Sequence, residues 1–295
     1  MLFATSRTDR GVVATLVCVI AFCAAAIVLT SCAKDETSNL NSQTSNPTEV
    51  TITFGKPYEQ QAMTRAAKSI ASVCTHLDVW IEHEGDVIDI HQTSSDADFG
   101  TITAVLDKRY TYTINAVAHK CDGDATLTDG VISFPDDKVT HAMVYQGTVS
   151  PATTTSLSAE MTRIVAQFKL ETTDAIPDEA KKMRFTITDV YNRWNVSTGA
   201  TNKLDRTSEV NISSKNANGT ATFMVYAITT DAETTHTVTV SALDEGDNVL
   251  QTRTFAGVTL RNGYKTSYRG QFFTDQDFTS SFVVADWSEY DTVDF

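Results

Sequence analysis

Two short clusters, Cys74-Thr75-His76 and His119-Lys120-Cys121, bring together the residue types that hold metals or form disulfides. The first stands just before an apolar alternation at Leu77, Val79 and Ile81. The second follows a strand-like stretch over residues 110–118. If these two strands pair antiparallel, the clusters meet at one end of a sheet. Two cysteines and two histidines match a zinc site in ligand type. The single residue between Cys74 and His76, however, crowds a tetrahedral ion. A Cys74–Cys121 disulfide is the simpler reading in an exported chain, and two unpaired core thiols are the third. Other candidates are weaker. His83-Glu84 lies at a turn, so a zinc-protease helix has nothing to stand on. Asp122-Gly123-Asp124 lacks the remaining ligands of a calcium loop and reads as a solvated turn. The sequence has no glycine-rich phosphate loop and no Gly-x-Ser-x-Gly elbow. Nothing selects a glycosidase pair from its 37 acidic residues. The chain therefore reads as a non-enzyme, without cofactor or metal.

The elements carrying these residues are strands. Threonine occupies 46 of 295 positions, and it suits a pleated surface better than a helix. Period-two apolar patterns appear over residues 50–54, 77–81, 87–90, 99–106, 110–118 and 140–147, with a hairpin turn at Glu84-Gly85. The pattern breaks over residues 150–156, where a domain boundary is expected. It resumes over residues 162–170, 183–190, 209–212, 220–229, 236–243, 249–255, 264–273 and 280–287. Asn218-Gly219, Gly246 and Asn262-Gly263 supply turns. One short helix is predicted over residues 177–182, with proline and acids opening it and lysines closing it. The expected class is all-β, with sandwich domains over residues 50–157 and 158–295. Net charge is −14, which argues against nucleic acid as a partner.

The amino terminus has a different purpose. Arg7 and Arg10 precede an apolar run over residues 12–29, long enough to be weighed as a membrane anchor. It ends in Leu29-Thr30-Ser31-Cys32, which resembles the lipobox of bacterial lipoproteins. That resemblance implies a signal peptide over residues 1–31, lipidation of Cys32 with palmitate-type chains, and attachment to the outer membrane. Residues 32–49 read as a flexible polar tether. Lys34-Asp35-Glu36 is similar to a lipoprotein surface-export signal, or is an ordinary charged stretch.

Three segments together resemble the fimbrial lipoproteins of Bacteroidales, the fimbrillins and their anchor subunits. They are residues 50–54 followed by Thr64-Arg65-Ala66; Met161-Thr162-Arg163-Ile164-Val165-Ala166-Gln167-Phe168 with Ile176-Pro177; and Leu260-Arg261-Asn262-Gly263-Tyr264 with a closing strand ending at Trp287. Asp96-Ala97-Asp98-Phe99-Gly100 is similar to anchor-type members. The resemblance implies two tandem transthyretin-like Greek-key β-sandwiches and processing between Arg65 and Ala66. It also implies a donor strand containing Phe282, Val283, Val284, Ala285 and Trp287. The partners would be other fimbrial subunits, in a homo- or heteropolymer, with a host or bacterial surface ligand left unspecified. Anchor, shaft and tip roles stay open. The alternative is a surface glycan-binding lipoprotein, which needs exposed aromatic platforms. Trp80 is out of step with Leu77, Val79 and Ile81 and is expected to face outward.

Overall fold

The computed structural model describes residues 45–55, 70–274 and 278–284. It is nearly all strand. In chain order these are β1 (Pro47–Gly55), β2 (His76–His83), β3 (Asp86–Thr93), β4 (Thr101–Asp107), β5 (Tyr112–His119), β6 (Thr126–Thr128), β7 (Val131–Ser133), β8 (Ala142–Val149) and β9 (Ser156–Glu160). There follow β10 (Thr162–Arg163), β11 (Val165–Thr172), β12 (Lys182–Asn195), β13 (Gly199–Asn211), β14 (Thr222–Ile228), β15 (Thr234–Leu243), β16 (Val249–Leu260), β17 (Tyr264–Gly270) and β18 (Phe278–Val284). Short 3-10 turns cover Ile70–Ser72 and Pro135–Asp137.

Three sheets result. The first has the order β4-β1-β9, the second β10-β8-β5-β2-β3, and the third β16-β15-β12-β14-β11-β17-β18. The β6–β7 hairpin and β13 add to the third sheet through β12. β9 lies where the domain boundary was expected, and it pairs in parallel with β1.

Alternation along each strand decides which core it feeds. Val50, Ile52 and Phe54 of β1, Ile102, Ala104 and Leu106 of β4, and Leu77, Val79 and Ile81 of β2 fill one cluster between the first two sheets. Phe168, Phe185, Phe223 and Phe255 anchor the core of the third sheet. A further cluster covers the opposite face of the second sheet, joining Trp80, Val117 and Ala142 to Ile164, Val165, Tyr226 and Ile228. Both faces of β2 are therefore buried.

Two expectations are corrected here. Residues 162–170 do not form one strand. Thr162 and Arg163 pair with β8 in the second sheet, and the chain then passes to the third sheet at Val165. Ile164, fully buried, sits at the crossing. The helix over residues 177–182 is a single turn. Ile176 and Ala180 are both buried, and the backbone around them is bonded to distant segments of the chain, the Ile176 N–H donating to the Gly219 carbonyl. The Lys181 N–H donates to the Leu243 carbonyl, which begins the β12 ladder at that point. The Lys215 ammonium donates to the carbonyls of Ile176 and Pro177.

Candidate functional site

β1 is the central strand of its sheet. It runs antiparallel to β4, with Val50 opposite Ala104 and Ile52 opposite Ile102. On its other side it runs parallel to β9, with Ile52 opposite Leu157 and Phe54 opposite Ala159. Val50, Ile52 and Phe54 point inward and are at most 1% exposed. Burying each stabilises by about 1.5–3 kcal/mol. The strand's carboxyl end is fastened by the Phe54 N–H, which donates to the Gly100 carbonyl at 2.8 Å. Gly100 has φ +92°, and a Cβ there would stand 3.2 Å from the Ile70 side chain, so glycine is needed at this close approach. β1 begins at Pro47, inside the stretch read as tether.

In the third sheet β18 is the edge strand, paired among the described residues with β17 alone, Thr266 opposite Phe282 and Lys265 opposite Val283. The chain leading to it is pinned. The Asp174 carboxylate accepts from the backbone N–H groups of Phe272, Phe273 and Thr274 at 2.8, 2.7 and 3.0 Å. Arg253 donates to the carbonyls of Phe272 and Thr274. Phe272 is fully buried, so the body is secured up to this turn.

The Cys/His region is arranged differently from either a disulfide or a zinc site built on the cysteines. β2 and β5 do pair antiparallel, with His76 opposite His119, and the two rings stack at 5.3 Å. Cys74 and Cys121 form no disulfide. Cys74 packs with Leu77 and Ile81, whereas Cys121 packs with Trp80 and Val117. Those clusters lie on opposite faces of the second sheet, which is why neither the bridge nor a shared metal forms. The Cys121 thiol donates instead to the Lys138 carbonyl at 3.2 Å.

What the region does assemble is a cluster around Asp78, a carboxylate with no exposed side-chain surface. Its Oδ1 accepts from His91 Nδ1 at 2.6 Å. Its Oδ2 accepts from His119 Nε2 at 2.8 Å and from the Ala125 N–H at 3.0 Å. Burial works against a charge on His119, but the hydrogen bonds with Asp78 and Cys121 outweigh it and raise its pKa to about 9. The Cys121 amide also points at Nδ1 of that ring at 3.2 Å, a contact that the neutral ring alone can accept and that opposes the upward shift. On a second proton this amide loses its acceptor. His91 is half-exposed. Burial again opposes its charge, and Asp78, Asp89 and Asp124 together hold its pKa above the ordinary value. One ligand atom from each of Asp78, His91 and Asp124 can be chosen so that all lie within 4.8 Å of one another.

Sequence reasoning placed the ends of β2 and β5 together but missed Asp78 and His91. The available signal was an acid inside an apolar run, Leu77-Asp78-Val79-Trp80-Ile81. Trp80 is buried, 3% exposed, so it offers no platform to a glycan. Trp194 packs against the same cluster. Of the other expected site residues, Cys32, Arg65, Ala66, Ala285 and Trp287 lie outside the described residues. Phe282, Val283 and Val284 are on β18. No helix among the described residues is long and apolar enough to cross a membrane.

The model of a family of unknown function, DUF6562, matches residues 135–288, just over half of the chain. The chain belongs to DUF6562. The matched region of this DUF6562 protein runs from the 3-10 turn at Pro135 past β18, so it includes all of β8 to β18 but neither β1 nor the Asp78 cluster. No curated protein matches the chain. Among solved structures, it is similar to a candidate adhesin from Bacteroides thetaiotaomicron, at 9% identity and TM-score 0.49, covering 82% of this chain and 99% of the other. The fimbrial anchor protein Mfa2 from Porphyromonas gingivalis is similar at 10% identity and TM-score 0.46, covering 81% and 98%. A candidate polysaccharide-binding protein from Bacteroides thetaiotaomicron is similar at 8% identity and TM-score 0.48, covering 82% and 99%.

Proposed function

We propose that this protein is a surface lipoprotein of the fimbrial kind, a pilus subunit or anchor. In this reading it is held on the outer membrane through lipid at Cys32, joins other subunits by β-strand exchange, and serves adhesion. The observation that carries the proposal is the position of β1. A strand near the amino terminus, joined to the body through residues 56–69, occupies the middle of a sheet and supplies three fully buried side chains. Cutting between Arg65 and Ala66 would free β1 from its covalent connection to the body. Its departure would leave β4 and β9 each with a row of unpaired N–H and C=O groups, above an uncovered apolar stripe. Such an edge recruits another strand. An incoming strand that runs in the sense of β1 can restore both ladders. The strand at the other end of the chain suits the donor role. β18 lies at an edge and can leave without dividing its sheet, while Asp174 and Arg253 hold the turn before it.

The test is cleavage of the purified precursor with an Arg-specific protease, followed by sizing across a concentration range. The precursor is expected to be monomeric, and the cleaved form to give concentration-dependent oligomers. Truncation after Asp277 should abolish them while leaving the body folded. A cleaved protein that stays monomeric at high concentration, with partner subunits present, overturns strand exchange. Recovery of only the uncut form from cells, at the base of fibres, selects the anchor role over the shaft.

A further inference from the structure

We propose that Asp78, His91 and Asp124 form a binding site for a divalent first-row metal ion, with Zn²⁺ the best match to one imidazole and two carboxylates. The three ligands come from three places in the fold. Asp78 is on β2 and His91 on the neighbouring edge strand β3, directly opposite each other in the ladder. Asp124 lies in the loop before β6. Their ligand atoms lie within 4.8 Å of one another.

Two of the ligands also have the outer support that metal sites require. A ligating histidine gives its other ring N–H to a carboxylate or carbonyl. With His91 Nδ1 toward the ion, Nε2 stands 3.2 Å from Asp89 Oδ1 and has that partner. Asp78 is fixed from behind, its Oδ2 accepting from His119 Nε2 and from the Ala125 N–H. The Ala125 amide does a second job. It is the next residue after Asp124, so the same hydrogen bond holds the loop that carries the third ligand. An ordinary group of surface acids has none of this. Here one carboxylate is completely buried, and without the ion its donors are His91, His119 and the Ala125 N–H.

The coordination itself needs a small, local change. Donors in a tetrahedral zinc site, with bonds near 2.0–2.1 Å, stand about 3.3 Å apart. His91 Nδ1 and Asp78 Oδ1 are 2.6 Å apart, the spacing of a shared proton. Exchanging that proton for the ion, with the proton released to water, opens the pair by about 0.7 Å. The half-exposed His91 ring on an edge strand can move by that much while Asp78 stays in place. A water would complete the coordination. The bound ion would tie β2, β3 and the loop before β6 together.

The experiment is titration of the purified, chelator-treated chain with Zn²⁺ by calorimetry, repeated against a zinc-indicator dye, with Ca²⁺ and Mg²⁺ titrated in parallel. One Zn²⁺ per chain is expected, with no comparable uptake of Ca²⁺ or Mg²⁺. His91→Ala and Asp124→Asn should each weaken Zn²⁺ binding by at least about tenfold, and Asp89→Asn by about tenfold through loss of the outer hydrogen bond. Asp124 lies at the surface, so Asp124→Asn should keep the metal-free far-UV spectrum and unfolding midpoint, whereas His91→Ala also removes a donor from buried Asp78 and is compared well below its own unfolding midpoint. The proposal is overturned if no Zn²⁺ binds at tens of micromolar, or if both variants bind it as the parent does. Tighter Ca²⁺ than Zn²⁺ binding at these residues overturns the assignment of metal class.

Discussion

Asp78 and His119 lie on adjacent strands and share a 2.8 Å hydrogen bond with neither side chain exposed to solvent. The pair is an internal polar joint between two strands of the second sheet. Its energetics follow from what removal would strand. Asp78→Ala leaves His119 Nε2 and the Ala125 N–H without their acceptor, inside a region that water does not reach. Breaking one side of a buried pair costs about 3–5 kcal/mol. The expected result is a drop of that size in urea-unfolding free energy, measured with chelator present so that metal plays no part. Asp78→Asn keeps an acceptor oxygen and should lose clearly less. Equal losses for the two variants would show that the charge and the second acceptor oxygen, which both variants lack, set the cost rather than volume.

Trp80 supplies a second prediction. It stands on the same face of β2 as Asp78 and packs with Val117, Ile164 and Ile228, so it links the second sheet to strands of the third. Trp80→Ala should destabilise the protein by about 3–5 kcal/mol, as large-to-small changes in a core do. Tryptophan fluorescence and chemical unfolding of the variant check this. A change below 1 kcal/mol would mean that the residue is solvated.

The same two residues show how far the sequence could be read. Alternation in β2 correctly assigned Leu77, Val79 and Ile81 to a core, and the strands, the Glu84-Gly85 hairpin and the all-β class were legible from period and turn chemistry. A period-two pattern identifies one apolar face. It does not tell whether the other face meets water or a second layer. Reading Trp80 as outward left Asp78, on the same face, without notice. Only the packing of Ile164, Tyr226 and Ile228 over that face makes Asp78 buried and forces it to find His91, His119 and the Ala125 amide. The short β6, β7 and β9 were invisible because they are held by pairing partners far along the chain rather than by their own pattern. The turn at residues 177–180 failed as a helix for a related reason, since core anchors and sheet hydrogen bonds overrode favourable end residues.

Tyr226 predicts a loss of stability at high pH. Its hydroxyl accepts from Gln167 Nε2 and lies 2.8 Å from His141 Nε2. Burial disfavours the phenolate and lifts its pKa to about 12, against an ordinary value of 10.0. Between those values the unfolded chain has released a proton that the folded chain retains. The folded state binds more protons there, so stability is fully present below about pH 10 and falls as pH rises toward 12. The loss from this residue is on the order of 2–3 kcal/mol. Tyr145 and Tyr268 are also raised by burial and add to the total. The comparison is therefore between parent and Tyr226→Phe. The variant should be less stable by about 1–2 kcal/mol at pH 8, and its deficit should shrink or reverse by pH 11. A constant deficit would exclude the linkage.

The last prediction concerns the slot that β1 fills. If strand exchange operates there, the slot must accept a strand supplied in trans. A synthetic peptide spanning Pro47–Gly55 carries the full set of native pairings, seven positions along β4 and five along β9. It also carries the three side chains that fill the core beneath. Added in excess to protein cut after Arg65 and stripped of β1, it should bind one to one and suppress concentration-dependent oligomers. The same peptide with Ile52→Asp should do neither, because a carboxylate would enter the cluster formed by Leu77, Ile102 and Leu106 without a partner. Reversing the peptide sequence should also fail, since alternation survives but the register of both ladders does not. Fluorescence anisotropy of labelled peptides and sizing of the mixtures measure these outcomes together. If the Asp-bearing peptide competes as well as the parent peptide, the oligomers do not form through the β1 slot.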